Sequence, residues 1–272
     1  MIVLSSALVL SQQDASNPVI GWRNLVAIDN VTATNEADGY PVTNVANPAT
    51  DNWWKSTTTT GTVYLTIETG TVDDIDYLGI AGHNLAGKTV SIEVCESDFY
   101  SSPQTWDEVI APFIPGDNAP LLLRWTAGSY QGVRIKIETT DSAPQIAVVY
   151  CGASLVLPRS IDIGADHTPI TMGRMSRVAT GMSENGKYLG RIVIGEWNES
   201  EASFKWFDPA FFRASIKPFL DASIETPFFF AWHPSDYPFE VGYVWLTSDP
   251  RPAVDPVTQR IHLLLKYQGI VA

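Results

Sequence analysis

The chain has 272 residues, 45% of them hydrophobic and 17% charged, with a formal net charge of −13. That composition excludes a disordered chain and suffices for one large core or two ordinary ones, so two domains are expected. The acidity, with no basic run anywhere, argues against nucleic-acid binding through phosphates.

The opening Met1–Leu10 is apolar, but it lacks a basic leading region and is too short to cross a bilayer. It reads as a mature N-terminal strand, with no membrane insertion and no signal peptide. From Ala33 to Ser56 runs ATNEADGYPVTNVANPATDNWWKS. Its Gly, Pro, Asn and Asp residues make an ordered loop, and of the adjacent Trp53 and Trp54 one is expected to plug the core while the other forms a surface platform. Thr62–Glu68, Thr89–Val94 and Gly132–Glu138 alternate apolar and polar residues, as half-buried strands do. Ile75–Ala81 and Gln145–Tyr150 are continuously apolar and read as strands covered on both faces. Cys95 and Cys151 fall in strands and are expected to be free, buried thiols.

Pro158 ends this strand-rich half, and a boundary is expected near Arg159. The polar span 160–186 reads as an extended arm in contact with a partner. Lys187–Trp197 and Glu201–Phe207 then read as a strand pair. Asp208-Pro209 signals an N-cap with proline at the first helical position, so a helix is expected over about 208–220, ending or kinking near Lys217 because of Pro218. Thr226–Trp232, Glu240–Thr247 and Thr258–Tyr267 complete a β-rich α+β unit. The fold class expected is mainly β: a jelly-roll β-sandwich over 1–159 and a smaller β-rich domain with one helix over 160–272.

Gly82-His83-Asn84-Leu85-Ala86-Gly87-Lys88-Thr89 satisfies the phosphate-loop pattern, but Val90–Val94 directly after it alternate as a strand where nucleotide chemistry needs a helix N-terminus. The match is read as accidental, with His83 and Asn84 at a loop tip. The four histidines and two cysteines have no metal-ligand spacing, so no metal is expected. No nucleophile elbow occurs, and Asp73-Asp74 and Asp107-Glu108 read as solvated edges, so no catalytic residue is assigned. The remaining candidates are ligand-binding: Tyr40, Trp53, Trp54 and Trp106 as sugar-stacking rings, with Asp38, Asn52, His83 and Asn84 as polar neighbours. Tyr237 and Trp245 are candidates for a subunit interface, where aromatic residues are enriched.

The order of loop, tryptophan, serine and a V-x-L-x-I strand resembles a discoidin-type, galactose-binding-like jelly roll. In the second half, GKYLGR, the Asp208-Pro209 helix, PFFFAWHPSDYPFEVGYVW and LLLKYQGI are similar to tailed-bacteriophage tail components, as are the upstream GIAGHNLAGKTVSIEV and GASLVLPR. The resemblance implies a non-enzymatic virion protein of the distal-tail or tail-tip type, made in the host cytoplasm. Its implied partners are copies of itself in a ring, other tail proteins and host-surface carbohydrate. No cofactor is implied, and a structural calcium ion in a jelly-roll loop stays open. The competing readings are a free carbohydrate-binding module or adhesin and, third, a glycan hydrolase.

Overall fold

The computed structural model describes residues 1–70, 74–162 and 167–271. Two five-stranded sheets form a jelly-roll sandwich. In the first, Ile2–Leu4, Leu121–Gly128, Ile75–His83, Gln145–Gly152 and Trp54–Lys55 lie side by side. In the second the order is Val31–Ala33, Gly61–Glu68, Gly132–Thr139, Thr89–Cys95 and Asp107–Phe113. Alternation aims Val63, Leu65, Ile67, Ile135 and Ile137 at Leu78, Ile80, Leu123 and Val149, all fully buried in one core. Both cysteines are free and buried. Of the apolar N-terminal stretch only Ile2–Leu4 is a strand, and a short helix comes next at Gln12–Ser16.

A third, eight-stranded sheet runs in the order Leu155–Val156, Val19–Gly21, Phe228–Ala231, Val241–Leu246, Ile261–Ile270, Tyr188–Phe207 and Arg174–Met182, with Ala253–Val254 paired onto Ile261–Ile270. The division expected at Arg159 therefore does not match the sheets. Leu155 pairs with Ile20, and Ile20 with Phe230, so two segments before residue 159 are strands of the C-terminal sheet. The run Phe228-Phe229-Phe230 is buried on both faces. Phe228 and Phe230 join the core under the helix, while Phe229 faces Tyr150 of the first sheet at 5.6 Å between ring centroids.

The helical segment starts as expected: Asp208 Oδ1 accepts from the amides of Ala210 and Phe211 at 2.9 and 3.3 Å. It does not end near Lys217. Phe212–Ile216 forms a π-turn and Lys217–Ser223 continues as α-helix through Pro218. A widened turn just before proline accommodates both the missing donor and the ring, which a regular α-turn would not.

The arm is also different. Arg174–Met182 pairs antiparallel with the distal part of a single 20-residue strand, Tyr188–Phe207, whose proximal part pairs with Ile261–Ile270. Residues 187–197 and 201–207 are thus one strand rather than two paired ones, and Arg174–Met182, within the span read as an arm, is the other half of a projecting hairpin. Residues 163–166 of that span lie outside the described residues.

Candidate functional site

The loop over residues 33–56 is held by its own side chains. Asn35 Oδ1 accepts from Ser56 Oγ at 2.6 Å and the Thr57 amide at 2.8 Å, and its carbonyl accepts from Trp54 Nε1 at 3.1 Å. Gly39 takes φ +80°, a conformation natural to glycine, and turns the chain so that Tyr40 returns beside Lys55. Asn44 Nδ2 donates to the Trp53 carbonyl at 3.0 Å.

The two tryptophans divide the roles expected of them. Trp54 is wholly buried in the sandwich core, so its candidacy as a sugar-stacking ring is corrected: no ligand reaches it without opening the core. Trp53 is half-buried, and its ring stacks on Tyr40 at 5.6 Å and 18°. Tyr40 is 37% exposed, and Lys55 Nζ lies 5.9 Å from its ring centroid. Asp38 and Asn52 are exposed on the same loop. Beside Lys55 an open groove of about 490 Å³ is lined by Ser56, Thr57, Thr59, Ser142 and Gln145. Chemically this is an aromatic pair next to hydroxyl, amide and ammonium groups.

His83 and Asn84 are not at a free loop tip. His83 is 7% exposed; its Nε2 bonds the Ala119 carbonyl at 3.0 Å and its Nδ1 accepts from the Leu85 amide at 3.2 Å. Burial pushes its pKa down to about 4, so the ring is neutral at pH 7. Asn84 donates to the Ala143 carbonyl and accepts from the Gln145 amide, which leaves its amide committed to joining the strands. The phosphate-loop match is a strand-to-strand turn: Ile75–His83 ends at it, Thr89–Cys95 begins after it, and Lys88 Nζ is buried on Ser142 Oγ at 2.8 Å. Trp106 lies over the Arg134 guanidinium at 4.1 Å, with Tyr64 at 4.4 Å from the same cation, on the outer face of the second sheet. Tyr237 stacks on Trp232 at 5.0 Å and is 47% exposed, and Trp245 is 38% exposed. Asp73 lies outside the described residues. Among the described residues no three His, Cys, Asp or Glu side chains are grouped to hold a metal ion, and no helix is long and apolar enough to cross a membrane.

The projecting hairpin carries exposure that residue-by-residue reading missed. Leu189, Ile192, Val193 and Ile194 are 69%, 71%, 49% and 61% exposed, and Met175, Met182 and Tyr188 join them. Because Ile192, Val193 and Ile194 are consecutive on a strand, both faces of the hairpin are apolar and open.

No family model and no curated protein matches the chain. Solved structures similar to its jelly-roll half include carbohydrate-binding modules. Chitosan-binding module 1 of a chitosanase/glucanase from Paenibacillus sp. IK-5 is 15% identical, with 48% of this chain and 99% of that one covered and a TM-score of 0.43. Module 2 of the same enzyme, solved with chitotriose, is 18% identical over 48% of this chain and 100% of that one, with a TM-score of 0.42. A module from a family 31 glycoside hydrolase of Clostridium perfringens is 14% identical over 47% and 94%, with a TM-score of 0.38.

Proposed function

We propose that the protein is a structural subunit of a bacteriophage tail, of the distal-tail or tail-tip type, in which copies join as a ring through the hairpin formed by Arg174–Met182 and Tyr188–Phe207. The tail assignment rests on the sequence resemblance. The assembly reading rests on the hairpin itself. A two-stranded hairpin is marginal in water unless something covers it, and an edge strand with apolar side chains on both faces invites pairing. Neighbouring subunits in closed symmetry, together with other tail proteins, satisfy both requirements. The protein acts in the virion and catalyses no reaction in this reading.

Light scattering of the purified chain, alongside an Ile192→Lys/Ile194→Lys variant, tests the assembly. The parent is expected to form a closed oligomer and the variant a folded monomer. Peptide mapping of purified particles tests the location, and intact tails lacking this chain rule the proposal out.

A second reading is carried by a separate observation. The half-exposed Tyr40–Trp53 stack, with Asp38, Asn52 and Lys55 around it, suits the flat apolar face and hydroxyl edge of a sugar ring, so the jelly roll serves as the host-glycan contact of the same particle or as a carbohydrate-binding module in its own right. Retention on host polysaccharide, lost on Trp53→Ala with the melting curve unchanged, supports it; equal retention of parent and variant removes it.

A further inference from the structure

Beyond the Leu155–Val156 strand the chain crosses to the opposite margin of the third sheet. The Asp162 amide donates to the Ser203 carbonyl at 2.8 Å, and Lys205 Nζ reaches Asp162 Oδ2 at 2.5 Å. A cavity of about 390 Å³ opens here, lined among others by Gln13, Asn17, Arg159, Lys205, Trp206 and His233. Its size falls in the range of small-molecule sites, roughly 300–1,000 Å³. None of these residues belongs to the Tyr40–Trp53 platform or to the exposed distal hairpin.

Trp206 is held in an unfavourable backbone state. Its φ is +70°, in the left-handed region that glycine occupies freely and a side-chain-bearing residue does not. The pairing with Ile261–Ile270 shifts register between Phe204 and Phe207 at this point. The shift keeps both phenylalanines fully buried while it turns the indole outward to 41% exposure, edge-on to His262 at 5.3 Å. Core packing alone would be served by a smaller or more flexible residue at a bulge that needs positive φ. A large, flat ring fixed at the rim of a cavity is what a stacking surface requires.

The polar lining is equally uneven. Asn17 is 4% exposed and borders the cavity. A side-chain amide at that border can both donate to and accept from a ligand's hydroxyls. Arg159 is exposed and, among the described residues, has no carboxylate in ion-pair reach, in a chain with 30 acidic and 17 basic residues. A planar guanidinium is suited to bidentate recognition of a carboxylate.

We infer that this cavity binds a saccharide carrying a carboxylate, a hexuronate residue, with its ring face on Trp206, its carboxylate on Arg159 and its hydroxyls on Asn17 and Gln13. The inference stands apart from ring assembly and from the jelly-roll platform. Titration calorimetry of the full chain with trigalacturonate, and with maltotriose as the neutral control, tests it. Saturable binding of the acidic trisaccharide is expected, weakened by at least about tenfold in both Trp206→Gly and Arg159→Gln and unchanged in Trp53→Ala. Glycine adopts the +70° backbone without strain, and Arg159 is exposed, so both variants are expected to fold; circular dichroism melts check that. Absence of saturable binding by the parent chain up to ~10 mM overturns the proposal. So does full affinity in both variants, or loss of binding in Trp53→Ala with Trp206→Gly unaffected. Binding of maltotriose as tight as that of trigalacturonate removes the carboxylate from the assignment.

Discussion

The Phe229 ring packs directly on the backbone of Gly79: a β-carbon at position 79 would lie 2.5 Å from two of its ring atoms. This contact joins the first sheet of the sandwich to the third sheet, and Tyr150 and Tyr243 close around the same ring at 5.6 and 4.9 Å. Both halves of the chain are therefore expected to melt together. Phe229→Ala should cost about 3–5 kcal/mol, the usual range for a fully buried phenylalanine. Gly79→Ala should cost about 1–3 kcal/mol through overpacking. Scanning calorimetry checks this, and two separate transitions in the parent chain would contradict it.

An electrostatic contact holds the chain at its exit from the first sheet. Asp76 accepts from the Ser154 amide at 2.6 Å and from Ser154 Oγ at 2.7 Å, just where the chain leaves the first sheet, and Arg124 Nη2 sits 3.4 Å from its second oxygen. The Arg124 side chain is only 6% exposed. Asp76→Ala leaves that cation buried without its partner, at a cost of about 3–5 kcal/mol. Asp76→Ala/Arg124→Met should recover much of the loss, and urea melts of the single and double variants read the difference.

His83 makes stability depend on pH. Its folded pKa of about 4 lies below the ordinary 6.5 because burial disfavours the charged ring. The unfolded chain therefore takes up a proton near pH 6.5 that the folded chain refuses until near pH 4. The stabilisation is complete above the unfolded value and is lost as pH falls through that window, on the order of 3 kcal/mol. Asp208, held below its usual range by the Ala210 and Phe211 amides and then by Arg260, contributes in the same direction at more acidic pH. In His83→Gln the decline between pH 6.5 and 4 should flatten, as read by chemical denaturation at each pH.

The paired tryptophans predict opposite phenotypes. Trp54→Ala empties the sandwich core and should cost about 3–5 kcal/mol. Trp53→Ala removes one ring of a half-exposed stack and should leave most of that stability in place, with about 1 kcal/mol lost from the aromatic pair. Thermal melts separate the two before any glycan is tested.

Much of the architecture was legible along the chain because it depends on period. The alternation of Thr62–Glu68, Thr89–Val94 and Gly132–Glu138 can bury only one face, and the unbroken run of phenylalanines at 228–230 can be satisfied only between two layers. The N-cap at Asp208 is likewise a local matter of a carboxylate beside free amides. Other features required three dimensions. Ile192-Val193-Ile194 has the composition of a core strand, and only the fold reveals that nothing among the described residues covers it. His83 reads as a polar loop residue until the Ala119 carbonyl and Leu85 amide, brought to it by folding, take both its nitrogens. The third sheet recruits Val19–Gly21 and Leu155–Val156 from far apart in the chain, and no short-range pattern encodes such pairing. The outward turn of Trp206 has the same cause: keeping Phe204 and Phe207 both inside forces an extra residue into the strand, and where that residue points is settled by packing on its neighbours.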